Sequence, residues 1–248
     1  MDKTENLVCV VVYDRLATIY SWLRAWQVAQ HFGAQLAIIH NYDMSDGQPD
    51  ATAVALTAQI EAFRIKPDYY IRRTNNYKRD LGAFQSVIHG ERSLPDWDNL
   101  FWFADDLIPM RPDFLEPFVR KLQQPDVGIV TQCYEPVNPT STVPHMRTVA
   151  FGIRREVAKR LVFPPAHGGK HWAAQLEWGD YNIAAQIEGL GLKVAVCHGG
   201  EINTPEYIHW TAFTNWMWDC SLQRDRAAEM MPIFEKQFHD VSKSPGPV

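Results

Sequence analysis

The absences narrow the field first. No Lys/Arg-rich run occurs anywhere in the 248 residues, and 24 basic against 29 acidic side chains leave a formal charge of -5 with a pI near 6.0. Such a balance offers no electrostatic footprint for nucleic acid, so no nucleic-acid partner is expected; an anionic substrate has to be held by a metal or by local basic residues. No apolar stretch reaches the roughly 18 residues that a membrane span needs. The polar opening MDKTEN runs straight into a strand-like segment, so we expect neither a signal peptide nor a transmembrane helix. The four cysteines, Cys9, Cys133, Cys197 and Cys220, form no CxxC pair. Three of them sit inside apolar runs, as buried thiols of a reduced cytosolic protein do, and no disulfide is expected. Glycine is missing from Tyr13 to Leu16, where a phosphate-cradling loop after a first strand would need it. There is no internal repeat, and nothing in the sequence sets an oligomeric state.

What is present alternates strand and helix. Leu7–Tyr13 (LVCVVVY) is rich in β-branched residues and reads as a central strand. Leu16, Ile19, Leu23, Trp26 and Gln30 recur at helical spacing, with Gly33 where a helix would end. Gln35–His40 is the next strand, followed by a polar loop from Asn41 to Gly47. A second helix is expected on Leu56, Ile60 and Phe63, and a third strand on Asp68–Arg72. The polar segment Arg73–Ala83 then leads into a helix through Phe84, Val87 and Ile88. A β-α-β opening favours parallel strands, and the length suits one α/β core with a C-terminal extension.

The chain is organised around Asn99–Val119 (NLFWFADDLIPMRPDFLEPFV). Leu100–Phe103 reads as a strand buried on both faces, which delivers Asp105 and Asp106 to the carboxyl edge of the sheet. Ligands of open α/β sheets bind outside that edge, and two adjacent carboxylates there suit Mg²⁺ or Mn²⁺. The bland alternative is that one of them caps the turn before a helix starting at Pro112. Phe114, Leu115, Phe118 and Leu122 line that helix, and Val127–Cys133 is the fifth strand.

Beyond Cys133, Pro136, Pro139 and Pro144 argue against regular structure from Tyr134 to His145, which reads as a substrate loop. Met146–Ile153 is expected as a strand and Val157–Leu161 as a short helix. Ala166–Leu176, with Gly168, Gly169, His167 and His171, has the composition of a mobile loop. Asp180 opens a helix carrying Ile183, Ile187 and Leu190, closed by Gly191, and Leu192–Cys197 is the last strand, ending at His198. Trp210, Phe213, Trp216 and Trp218 form an aromatic series before a charged helical stretch. Tyr and Trp favour surfaces with one apolar and one wet side, so we expect this tail to serve an acceptor or a membrane surface, with burial against the sheet as the alternative.

Five segments, in order, resemble the nucleotide-sugar glycosyltransferases of GT-A fold, most closely the inverting family 2. They are VYDR (Val12–Arg15), NYDMSD (Asn41–Asp46), NYKRDLGA (Asn76–Ala83), ADDLIPMRPDFLEPFV (Ala104–Val119) and WGDYNIAAQIEGLGLKV (Trp178–Val194), within a likeness covering Asn6 to His198. Four positions depart from the family pattern: Asn41 stands for a base-contacting Asp, Lys78 for the first Gly of its motif, Ala104 for the first acid of a DxD, and Gly179 for Glu. The resemblance implies a Rossmann-like, mostly parallel sheet flanked by helices, as a GT-A domain over residues 1–200. Its donor half would run to about 133 and its acceptor half from 134 to 200, with an aromatic-rich helical extension over 201–248.

The same resemblance implies a hexosyltransferase-like enzyme of polysaccharide biosynthesis. It would move a sugar from a nucleoside diphosphate donor to a glycan or lipid-linked acceptor by a single inverting displacement, in the cytoplasm or peripherally at the inner face of a membrane. Donor binding falls to Tyr13, Arg15, Asn41, Asn76, Arg79, Asp80 and Asp105, and Mn²⁺ or Mg²⁺ to Asp105, Asp106 and His198. A locally hydrogen-bonded strand-end histidine is the other reading of His198. Inversion needs a carboxylate on the acceptor side; Asp180 is expected as general base, with Glu177 as substitute and a plain helix cap as the alternative for Asp180. Two other classes stay open: a nucleotidyltransferase, disfavoured by the missing glycine loop, and a silent carbohydrate-binding scaffold, favoured by Ala104 and Gly179.

Overall fold

The computed structural model describes residues 4–13, 16–41, 54, 55, 58, 66–73, 78–91, 93–105, 107–109, 111–135, 143–165, 169–197 and 217–219. The chain opens with β1 (Thr4–Val12), α1 (Leu16–Val28), β2 (Ala34–Asn41) and β3 (Tyr69–Arg73). It continues through α2 (Arg79–Ile88), β4 (Trp97–Ala104), β5 (Leu107–Pro109), α3 (Glu116–Leu122), β6 (Val127–Thr131), β7 (Tyr134–Glu135) and β8 (His145–Met146). The last elements are β9 (Ala150–Arg154), α4 (Arg155–Ala158), α5 (Lys170–Glu177), α6 (Ile183–Gly189), β10 (Lys193–Val196) and β11 (Met217–Asp219).

A seven-stranded sheet in the order β10-β6-β9-β4-β1-β2-β3 forms the middle layer. All its strands run parallel except β9, which lies antiparallel between β4 and β6. Alternate side chains of β1 enter opposite cores: Leu7, Cys9 and Val11 one, Val8, Val10 and Val12 the other. β4 divides likewise, Leu100 and Trp102 against Phe101 and Phe103. Period-2 alternation with both faces apolar is what a sheet covered by helices on both sides requires. One cover is made by α2, α5 and α6 through Phe84, Val87, Trp172, Leu176, Ile183 and Ile187. The other uses α1 and the region of α3, through Ile19, Trp22, Trp26, Phe114 and Phe118.

Winding decides where a ligand can sit. From β1 the chain moves outward to β2 and β3, then returns across β1 to place β4 on its far side. The point of reversal is the seam between β1 and β4, paired in register from Asn6–Asn99 to Val11–Ala104. At such a switch point the loops leaving two neighbouring strands part in opposite directions and open a crevice at the carboxyl edge.

Several expectations are corrected. Ala166–Leu176 is no open loop over its second half: Lys170–Glu177 is helical, because Trp172 and Leu176, four residues apart, are both buried against α2 and the sheet. The segment from Tyr134 to His145 has regular ends, since Tyr134 and Glu135 pair antiparallel with Met146 and His145. The strand expected over Met146–Ile153 is split between β8 and β9 by a turn at Thr148 and Val149. Residues 112–115 are turns and the helix begins at Glu116, while Leu107–Pro109 is an unexpected strand. Of the C-terminal extension, the described piece is a strand: Met217–Asp219 pairs antiparallel with Leu107–Pro109. The rest of the expected aromatic helical extension, and the helix expected on Leu56, Ile60 and Phe63, lie outside the described residues. Among the described residues no helix is long and apolar enough to cross a membrane.

Candidate functional site

Asp105 follows the last residue of β4, and Tyr13 the last residue of β1. The Tyr13 backbone N–H donates to the Asp105 carboxylate at 2.9 Å, so the carboxylate bridges the two strand ends at the switch point. β5 comes directly after the acid turn and is held from behind, because the Trp22 indole N–H on α1 donates to the Leu107 carbonyl at 2.7 Å. Trp22 is itself wedged against Phe103 and Phe114, which makes this a rigid support. Asp106, Arg15, Asn76 and His198 lie outside the described residues.

The residues expected to bind a donor, with their neighbours, form a second group. Asn41, at the end of β2, is 1% exposed. Its Oδ1 accepts from the Arg73 guanidinium at 2.8 Å and its Nδ2 donates to the Arg79 carbonyl at 3.0 Å. The amide thus ties the end of β3 to the start of α2, where Arg79 adopts a left-handed φ of 53°. Burial lowers the Arg73 pKa, and the nearby Glu91 carboxylate opposes that shift. Asp80 lies in the first turn of α2, where the helix dipole favours a carboxylate. The ammonium of Lys78 lies 4.6 Å over the Trp172 ring and donates to Gln85 Oε1 at 3.1 Å, so it braces α2 against α5.

A continuous set of contacts carries the acid turn across to the other carboxylates. The Ala104 N–H donates to the Val149 carbonyl at 2.8 Å, one residue beyond the Phe103–Ala150 pair of β4 and β9. Next to Val149, Thr148 gives both its backbone N–H and its hydroxyl to Glu177 Oε1, at 3.1 and 2.7 Å. Glu177 ends α5, and the turn after it runs to Asn182, whose Nδ2 donates to the Pro144 carbonyl at 3.0 Å. Asp180 sits between these two anchors, exposed.

The cap alternative for Asp180 is settled by Asn182. Asn182 is the N-cap of α6, accepting from the Ala185 N–H at 3.1 Å. Asp180 therefore lies two residues before the cap, a correction to its expected place at the helix start, and its side chain makes no hydrogen bond or ion pair among the described residues. Gly179 has a steric reason: a Cβ there would lie 2.7 Å from the Gln175 Cα and 2.4 Å from Gln175 Oε1. No side chain fits that turn without moving backbone, so a glutamate is excluded at 179 by this local geometry. Sequence reading missed Thr148, Arg73 and Asn182. The cap was the most legible, because an Asn directly before Ile183 is a standard helix-start signal.

Among the described residues no group of three His, Cys, Asp or Glu side chains could hold a metal ion. Cys9, Cys133 and Cys197 are buried free thiols, as expected; burial raises the pKa of Cys9 and of Cys197.

No family model matches the chain, and no curated protein sequence does. Solved structures do. A mannosyltransferase from Pyrobaculum calidifontis, in complex with GDP-Man and Mn²⁺, superposes with a TM-score of 0.55 at 16% identity, over 79% of this chain and 55% of that one. This chain thus spans about half of that mannosyltransferase's length. The galactosyltransferase LgtC, in complex with donor and acceptor sugar analogues, gives 0.54 at 12% identity over 97% of this chain and 98% of its own. Glucosyl-3-phosphoglycerate synthase from Mycobacterium tuberculosis, with Mn²⁺, UDP and glucosyl-3-phosphoglycerate, gives 0.50 at 14% identity over 97% and 82%. At these identities the likeness is one of fold, and it agrees with the sheet order and switch point described above: the chain has the GT-A fold of the nucleotide-sugar glycosyltransferases.

Proposed function

We propose that the protein transfers a sugar from a nucleoside diphosphate donor to a hydroxyl of a glycan or lipid-linked acceptor, with inversion at the anomeric carbon. The observation that carries this reading is the acid turn at the β1–β4 switch point, bonded through Tyr13 and linked by Val149 and Thr148 to a second carboxylate region at Glu177 and Asp180. Two acidic centres on one sheet edge match the two demands of the reaction: to hold a diphosphate leaving group on one side and to take a proton from the acceptor on the other.

On the donor side, adjacent carboxylates at a switch point are a hard-oxygen set that fits Mn²⁺ or Mg²⁺. Asp105 and Asp106 would hold the ion, with His198 as a further ligand. Such an ion would stabilise the negative charge that develops on the diphosphate. Two of the fold's solved relatives are described with Mn²⁺, which supports the choice of metal. This reading assigns donor binding to Tyr13, Arg15, Asn76, Arg79 and Asp80, and to Asn41 the fixing of Arg73 and Arg79.

On the acceptor side we assign Asp180 as general base. It is exposed and uncommitted, and Asn182 relieves it of capping. Glu177 is given the positioning role, because one of its oxygens is taken by Thr148. The remaining parts of the reading, a cytoplasmic setting with peripheral membrane contact through the aromatic tail, rest on the reduced thiols and the Trp-rich composition after Tyr207. A hydrolysis screen over UDP-, GDP- and dTDP-sugars with Mn²⁺ tests the function: release of a nucleoside diphosphate from one of them is expected, and release from none overturns it.

A further inference from the structure

Trp178 is an exposed residue of a kind that usually finds cover. It is 42% exposed, next to Glu177 and two residues before Asp180. Its place is nevertheless fixed. The backbone N–H groups of Trp178 and Gly179 both bond to the Ala174 carbonyl, and the turn is closed so tightly on Gln175 that position 179 admits no Cβ. The indole meets the buried His145 ring edge-on, with centroids 5.5 Å apart at 74°. His145 is held in turn by the Val143 carbonyl at 3.0 Å, and the pairing of β7 with β8 fixes the strand that carries it. A flat apolar ring, exposed on one side and carried on a fixed turn, can stack a ligand with little loss of conformational entropy.

The neighbourhood says what kind of ligand. Glu177 has its second oxygen without a hydrogen bond among the described residues, and Asp180 has both. Both carboxylates therefore offer acceptors for hydroxyl groups beside the ring. The third carboxylate, Glu135, lies 3.7 Å from the His145 Nε2 and 3.4 Å from the Arg147 guanidinium. Glu135 is thus offset by its own cationic partner, and the charge left beside the ring is that of Glu177 and Asp180, which repels anions. An apolar face flanked by hydroxyl acceptors fits the C–H face and rim hydroxyls of a pyranose ring.

We infer that Trp178 is the stacking floor of an acceptor subsite that takes an uncharged saccharide and rejects one bearing carboxylate, sulfate or phosphate groups. The inference rests on the glycosyl-transfer reading for the ring's being an acceptor. The test is saturation-transfer NMR on the full chain with lactose, maltose, cellobiose and N,N′-diacetylchitobiose, set against uronic-acid-containing disaccharides. It is run on the wild type, Trp178→Ala, Trp178→Phe and Trp178→Leu, with the melting temperature of each. Nucleoside diphosphate binding with Mn²⁺ is read on the same samples. At least one neutral disaccharide should bind the wild type, with saturation concentrated on one ring face. Binding should weaken about ten-fold in Trp178→Ala, as expected for a lost aromatic contact of about 1.4 kcal/mol, and largely survive in Trp178→Phe. If the alanine variant does not fold, Trp178→Leu decides, since it keeps apolar bulk without a flat ring. The inference is overturned if no neutral disaccharide binds the wild type, if the folded Ala or Leu variant binds as the wild type does, or if uronic acids bind equally well. Absent nucleotide binding in the wild type overturns the donor reading instead, which separates the two failures.

Discussion

Asp180 and Glu177 stand three residues apart with different commitments: the first is exposed and unbonded, the second pinned to Thr148 by a hydroxyl at 2.7 Å. Asp180→Asn should lower turnover about 10²- to 10⁴-fold, with melting temperature and nucleotide affinity preserved and the product carrying the opposite anomeric configuration to the donor. Near-normal turnover, or a product of retained configuration, contradicts the assignment. Glu177→Gln should show the reverse balance, a loss of about 1–3 kcal/mol of stability as the charged acceptor for two donors is removed. Denaturant titration measures it, and an unchanged midpoint would show that the Thr148 contact holds nothing. The thiols give a pH signature. Cys9 and Cys197 keep their protons in the fold while an unfolded thiol ionises near 9.0. Below that pH both states are protonated and nothing is lost; above it the unfolded state sheds protons first, so stability falls by about 1.4 kcal/mol per unit of pH for each thiol. Removing both, as Cys9→Ala with Cys197→Ala, should flatten the decline of stability above pH 9 in parallel denaturant titrations; an identical slope contradicts it.

At the scale of elements, legibility followed how each element earns its stability. β1 and β4 were plain in the sequence because runs such as LVCVVV and LFWF bury both faces, a demand that composition alone reveals. α5 was not, because only Trp172 and Leu176 of its eight residues are buried and the neighbouring glycines and histidines hide that spacing. Strands of two or three residues, β5, β7, β8 and β11, exist through their partners, and no local pattern announces a partner far along the chain. Of the candidate site, the placement of Asp105 just after β4 and of Trp178–Asp180 shortly before a helix was legible. The contact that unites them, Ala104 to Val149 and Thr148 to Glu177, was not, since it depends on β9 running antiparallel beside β4. Gly179 shows the limit of reading by motif: the turn is packed so closely on Gln175 that no side chain fits there.

For the whole molecule, the reversal of winding at β1–β4 brings the acid turn to the centre of the carboxyl edge, and the C-terminal strand β11 returns to pair with β5 beside that turn. The seven-stranded sheet does not include β11. Truncation after Glu206 should therefore leave a cooperative melting transition while weakening nucleotide binding; insoluble protein without a transition would show that the aromatic tail belongs to the core. The central claim is that the acid turn holds a nucleoside diphosphate through a divalent ion. Titration calorimetry with UDP, GDP and dTDP, with and without Mn²⁺, on the wild type, Asp105→Ala and Asp106→Ala tests it most directly. One nucleotide should bind the wild type only when Mn²⁺ is present, with binding reduced in Asp105→Ala and abolished in Asp106→Ala; binding that needs no metal, or that survives unchanged in Asp106→Ala, would contradict the account.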